Sequence, residues 1–162
     1  MTERTRTYSW HDPLETLSRV GGLSGLEALQ LIAAGELPPP PIAMTLGFCG
    51  FEVEEGRATF EVEPAEFHYN PIGVVHGGLA LALLDSAMGC AAHSTLPAGV
   101  AYTTLEVKAN FVRPITSSTG RVRCTGTIVH GGRRVATAEG RVVDAAGKLH
   151  AHGSSTLLIV GG

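Results

Sequence analysis

Between Thr103 and Arg113 polar and apolar residues alternate. Leu105, Val107, Ala109 and Phe111 fall on one side of an extended backbone, and Thr104, Glu106, Lys108 and Asn110 on the other. A period of two marks a strand with one face in the core and one in water. Strand signals recur at Ile42–Val53 and Arg57–Glu63, joined by the turn-like Glu54-Glu55-Gly56. They recur again at Arg121–His130, Arg134–Asp144 and Lys148–Val160, punctuated by Gly131-Gly132 and Ala145-Ala146-Gly147. Glycine-containing breaks of this length read as hairpin turns, so the last strands form an antiparallel meander. Between the two strand groups runs GGLALALLDSAMGCAAHSTL, Gly77 to Leu96, apolar nearly all round. A helix of that composition is buried on most sides. The order β-β-α-β-β-β predicts an α+β fold, in which an antiparallel five- to six-stranded sheet wraps around one long buried helix.

The first 41 residues follow another pattern. Asp12-Pro13 is a good N-cap followed by a residue suited to the first helical turn. Ser24-Gly25-Leu26-Glu27 has the spacing of a capping box, and Gly35 stands where a helix would end. The spacing predicts one or two short helices in an extension over residues 1–41. A stiff linker at Pro38-Pro39-Pro40-Pro41 joins it to a main domain over 42–162.

Composition excludes more than it identifies. A chain of 162 residues suits one domain with a real core. The net charge of −3 offers no bulk attraction for nucleic acid or an anionic membrane. No apolar run approaches the ~20 residues that span a bilayer, and the N-terminus has no apolar signal core. Cys49, Cys90 and Cys124 are odd in number and far apart, which suits reduced thiols in a cytoplasmic protein better than disulfides or a zinc site.

Two features carry chemistry. Asp85 lies inside the apolar helix among Leu81, Leu83, Leu84 and Met88. A lone buried carboxylate costs several kcal/mol or shifts its titration, so it is either a general base or nucleophile, or an acid that bonds nearby backbone or lies on a narrow wet stripe with Ser86. The second feature is Asn70-Pro71-Ile72-Gly73-Val74-Val75-His76-Gly77-Gly78, which leads into the helix. The Gly77 and Gly78 amides fall in the first turn, where donors are unpaired at the positive end of the helix dipole and suit a developing oxyanion. Asn70 can donate a further hydrogen bond, and His76 can orient the loop or the ligand. The alternative is a glycine-rich turn that only starts a helix.

Asp85 and Gly77 are eight residues apart, roughly 12 Å along a helix axis. They cannot hold one carbonyl, because reacting groups must converge to ~3 Å. If both act, they come from different subunits, and a symmetric dimer would create two equivalent sites. Smaller features are His150 and His152, spaced for one strand face as metal ligands or as a plain polar face. Arg133 and Arg134 sit at a hairpin tip, solvated or set to bind phosphate, and Arg113 could add to the same patch. No Gly-x-Ser-x-Gly elbow and no Cys beside a His supports a serine or cysteine acyl-enzyme.

Asn70-x-x-Gly73-x-x-His76-Gly77-Gly78 followed by Asp85, together with TTLEVKANFVRP over Thr103–Pro114, resembles the phenylacetate-degradation (PaaI-like) hotdog thioesterases. The resemblance covers roughly Pro41 to Val160. It implies a hotdog fold, dimers often paired into tetramers, and hydrolysis of acyl- or aryl-CoA thioesters without metal or redox cofactor. By position it implies Asp85 as nucleophile or base and the Gly77 amide as oxyanion donor. It likewise implies Asn70 and His76 as supporting polar groups on the opposing subunit, and Thr104 as the residue that positions the water. Gly78, Arg113, Arg133, Arg134 and Ser155 fall at or near positions that contact CoA. The strand alternation puts Thr104 on the polar face and leaves its reach to Asp85 open. Two rival readings on the same fold are a non-catalytic acyl-CoA-binding regulatory module and a hydratase or dehydratase.

Overall fold

The computed structural model describes residues 1–161, so the final residue of the expected 42–162 domain lies outside it. Three short helices come first: α1 (Pro13–Val20), α2 (Gly25–Ala33) and α3 (Pro41–Leu46). They are followed by β1 (Phe48–Glu54), β2 (Arg57–Val62), the long helix α4 (Gly77–His93), β3 (Ala101–Phe111), β4 (Val122–Gly131), β5 (Val135–Asp144) and β6 (Leu149–Val160). The six strands form one antiparallel sheet in the order β1-β2-β4-β5-β6-β3. This sheet curls around α4, which is the hotdog arrangement. Among the described residues no helix is long and apolar enough to cross a membrane.

The core is the space between helix and sheet. Leu79, Leu83, Leu84, Ala87, Met88 and Ala92 of α4 meet the inward positions Phe60, Val62, Val122, Cys124, Val142 and Leu157. One contact fixes how close they come. A Cβ on Gly126 of β4 would lie 2.4 Å from the Ala87 carbonyl, so only glycine lets this strand rest on the helix backbone.

The extension contains two short helices, where one or two were expected, with the expected caps. Asp12 accepts a hydrogen bond from the Leu14 amide, and Ser24 and Glu27 form the full capping box. The expected strand over Ile42–Val53 is corrected in its first half, which is helical. Pro41 occupies the first helical turn, where its fixed φ and missing N–H are harmless. Gly47 then ends α3 in the left-handed conformation at φ 73°. The central helix stops at His93 rather than Leu96, with Pro97 following, a residue that cannot continue a helix.

Two histidines inside this frame set an acid limit on stability. His68 is buried, accepts from the Ala65 amide and contacts the Leu46 carbonyl, while the buried His93 Nδ1 has no partner among the described residues. Burial pushes both side chains below the ordinary histidine range. As pH falls, the unfolded chain therefore takes up these protons first. Stability is fully present above the unfolded value of about 6.5 and is lost as pH drops toward the folded values. Thermal melts should show a lower Tm at about pH 5.5 than at about pH 7.5, and the double variant His68→Gln, His93→Gln should narrow that gap. An unchanged gap would place the acid sensitivity elsewhere.

Candidate active site

The central helix is not buried all round. Gly78 and Leu81 are exposed, and Ala82, Asp85 and Ser86 are half-buried, which leaves one face of α4 open. Asp85 lies on this face, so in a single protomer it is less desolvated than the apolar neighbours suggested. Its Oδ1 accepts a hydrogen bond of 2.9 Å from the Thr104 hydroxyl.

That contact requires Thr104 to face the helix, against the expected alternation. The pairing of β3 with β6 slips between Thr104 and Glu106. The extra residue of this β-bulge reverses the inside–outside phase along the strand. Thr104 therefore points inward before the bulge, Val107 and Ala109 point inward after it, and Leu105 is left 56% exposed.

Two other polar groups lie near Asp85. Burial, with the Asp85 charge adding, pushes the Cys90 thiol up to about 12. The Tyr102 hydroxyl is raised mainly by burial, with Cys90 and Asp85 contributing. Both stay protonated near neutral pH.

The loop entering α4 is held from within. Asn70 Oδ1 accepts from the Ile72 and Val74 amides at 3.1 and 3.3 Å, and Gly73 turns the chain at φ 83°. These bonds use the Asn70 oxygen and leave its NH₂ group as the free donor. His76 is the N-cap, and its Nδ1 accepts from the Gly78 amide at 2.9 Å. The expectation of two unpaired glycine amides is thereby corrected to one. The Gly78 N–H is taken, while the Gly77 N–H meets no acceptor among the described residues. Gly77 borders a cavity of about 360 Å³ with Phe111, Arg113, Ile115 and His150 also in its wall. A Cβ at position 77 would stand 3.3 Å from the Phe111 ring.

The remaining sequence-selected residues do not form one patch within a chain. Arg113 lines the Gly77 cavity and donates to the Leu149 carbonyl. Arg133 and Arg134 line a different hollow of about 760 Å³, beside Leu96, Pro97 and Val100. The length of β3 separates the two, roughly 30 Å for an extended strand of this size. Ser155 is 2% exposed, and its hydroxyl donates to the Glu106 carbonyl at the bulge, so it presents no surface to a ligand in the protomer. His150 is paired with Asp144 rather than poised with His152, and among the described residues no three potential ligands converge as a metal site would require.

The sequence pointed to His150 but not to the partners that hold it. The buried His150 bridges the Asp144 carboxylate and the Pro114 carbonyl beside the Gly77 cavity. The signal was Asp144 before Ala145-Ala146-Gly147, an aspartate placed to close its own turn, yet nothing local linked it to the histidine on the next strand.

A hotdog sheet, a carboxylate on the open face of its helix and an amide at the helix start with no acceptor among the described residues are elements that a thioester hydrolase can use. The family model of the thioesterase superfamily matches residues 72–151, a span containing Gly77, Asp85, Thr104, Arg113 and His150. It is 28% identical over 105 residues to a 1,4-dihydroxy-2-naphthoyl-CoA hydrolase of Listeria monocytogenes, covering 65% of this chain and 84% of the relative. A phenylacetic acid degradation-related protein from Ralstonia eutropha superposes with a TM-score of 0.72 at 28% identity, over 80% of this chain and 98% of that one. A conserved protein from Pseudomonas aeruginosa superposes at 0.70 with 30% identity, over 75% and 95%.

Proposed function

We propose that this enzyme hydrolyses a CoA thioester of a short- or medium-chain or aromatic acid to the free acid and CoA, at a site shared between two subunits. One observation carries the reading. Thr104 holds Asp85 on an open helix face, while the only unpaired amide of the Gly77-Gly78 pair lies about 12 Å away at the start of the same helix. Each half lacks what the other supplies.

Thr104 occupies Oδ1 of Asp85 and leaves Oδ2 for the reaction. As base, Oδ2 takes a proton from water while the water oxygen bonds to the carbonyl carbon. The C–S bond then breaks, and the CoA thiolate takes up a proton. As nucleophile, Oδ2 itself bonds to that carbon, CoA leaves, and water cleaves the resulting anhydride. In both routes the Gly77 amide of the other subunit stabilises the carbonyl oxygen as it gains negative charge.

Support for the shared site comes from what a single chain leaves open. β3 is an edge strand, and next to it lies the open face of α4 with its exposed Leu81. Antiparallel pairing of two β3 edges would place the helices in opposition. It would also bring the Arg133-Arg134 tip of one subunit toward the Arg113 end of the other, which supports CoA phosphate binding there. Pairing of two such dimers would give the tetramer, and the substrate's CoA suits a cytoplasmic enzyme.

Release of free thiol from a panel of short-chain, medium-chain and aromatic CoA esters tests the reading. At least one ester should turn over. Tight binding of CoA esters without thiol release would make the protein a binding module instead.

A further inference from the structure

We infer that His150 is a positioning residue for the Gly77 amide, acting through the wall that carries Arg113, Pro114 and Ile115; the inference rests on the thioesterase reading above.

The connection runs through consecutive hydrogen bonds. Asp144 closes the β5–β6 turn, with Oδ1 accepting from the Ala146 and Lys148 amides at 3.0 and 2.9 Å. Its Oδ2 lies 3.3 Å from His150 Nε2, and His150 Nδ1 lies 3.1 Å from the Pro114 carbonyl. The backbone joins the same point, since the Val112 and Arg113 amides both donate to the His150 carbonyl. The next residue, Ile115, accepts from the Val75 amide at 2.9 Å. Val75 precedes His76, the cap of α4, and Gly77 is the first residue of that helix.

His150 is thus the clamp on one wall of the cavity, and the opposite wall is the loop that aims the Gly77 N–H. Both ring partners are acceptors, so the ring serves this contact as a donor. A ring with no donor would leave the Pro114 carbonyl and an Asp144 carboxylate oxygen facing carbon, and the Arg113–Ile115 wall would shift to relieve it. The Val75–Ile115 bond transmits that shift to the oxyanion donor, whose use depends on placement within a fraction of an ångström. Ground-state binding elsewhere would be spared.

The test uses the full chain with His150→Phe and His150→Gln. Steady-state kinetics are measured on the CoA ester that the parent enzyme turns over fastest, with two-dimensional NMR of the ¹⁵N-labelled Gly77 and Gly78 amides. His150→Phe should lower kcat about tenfold with KM within about twofold, and both glycine amide signals should move. His150→Gln, which keeps one donor, should recover part of kcat and bring the signals back toward their original positions. A folded His150→Phe protein with full kcat and unmoved glycine amides overturns the inference. A rise in KM alone also overturns it, by making His150 a wall of the substrate pocket. If His150→Phe does not fold, His150→Gln decides alone, with an intermediate kcat in support and full kcat with unmoved signals against. If the parent chain hydrolyses no CoA ester, the thioesterase reading fails separately, and the amide signals still decide whether His150 positions Gly77.

Discussion

Asp85→Asn should lower kcat about a thousandfold, within the range that general acid–base catalysis supplies, while the protein folds and still binds its CoA ester. The substitution is nearly isosteric. An asparagine carbonyl oxygen can accept the 2.9 Å hydrogen bond from Thr104 as the carboxylate does. What is lost is the second oxygen as an acceptor of water's proton or as an attacking atom. Neighbouring groups cannot compensate, since burial keeps the Cys90 thiol and the Tyr102 hydroxyl protonated near neutral pH. Thiol release under saturating ester, beside a thermal melt and binding of an unreactive CoA thioether, separates lost chemistry from lost structure. Turnover within about twofold of the parent in a well-folded Asp85→Asn protein would remove Asp85 from the mechanism.

How much of this was legible in the chain depends on the range over which each feature is encoded. The sheet, the helix and their order follow from periodicity, which is local, and the caps at Asp12 and Ser24 follow from side chains bonding within their own turn. The helical start at Pro41 was legible too, but its apolar Ile42-Ala43-Met44 resembles strand as readily as helix, and a proline in the first turn was the better signal. Thr104 was misplaced for a different reason. A bulge is a property of two strands together, and nothing in TTLEV announces that Leu105 will be skipped in the ladder. The spending of the Gly78 amide on His76 was within reach, because a histidine at an N-cap can accept from a residue two positions on. The bridge from Asp144 through His150 to Pro114 was out of reach, since three chain segments must first be folded together.

If each site draws its reacting groups from two chains, as proposed, a mixture of two inactive variants should recover about a quarter of the parent activity. Asp85→Asn is one partner, and Gly77→Pro is the other. Gly77 is the first residue of α4, a position where proline is well tolerated, and the preceding His76 already has φ −61° and ψ 133°, the extended conformation that a following proline demands. Proline there deletes one N–H with little else disturbed. The Phe111 ring, 3.3 Å from where a Cβ would stand, is 56% exposed and free to turn aside. Loss of an oxyanion donor should lower kcat about 100- to 1,000-fold in the Gly77→Pro homodimer. In a heterodimer one site joins the native Gly77 of the first chain to the native Asp85 of the second, and the other site has neither. Random pairing of equal amounts makes about half the dimers mixed, each with one working site of two, hence the quarter. Co-expression with two affinity tags lets the mixed species be isolated, and its activity should approach half that of the parent. If both groups act within one chain, each heterodimer site carries one lesion and the mixture stays as inactive as its parts. The outcome therefore reads directly whether the ~12 Å between Gly77 and Asp85 is bridged by a partner.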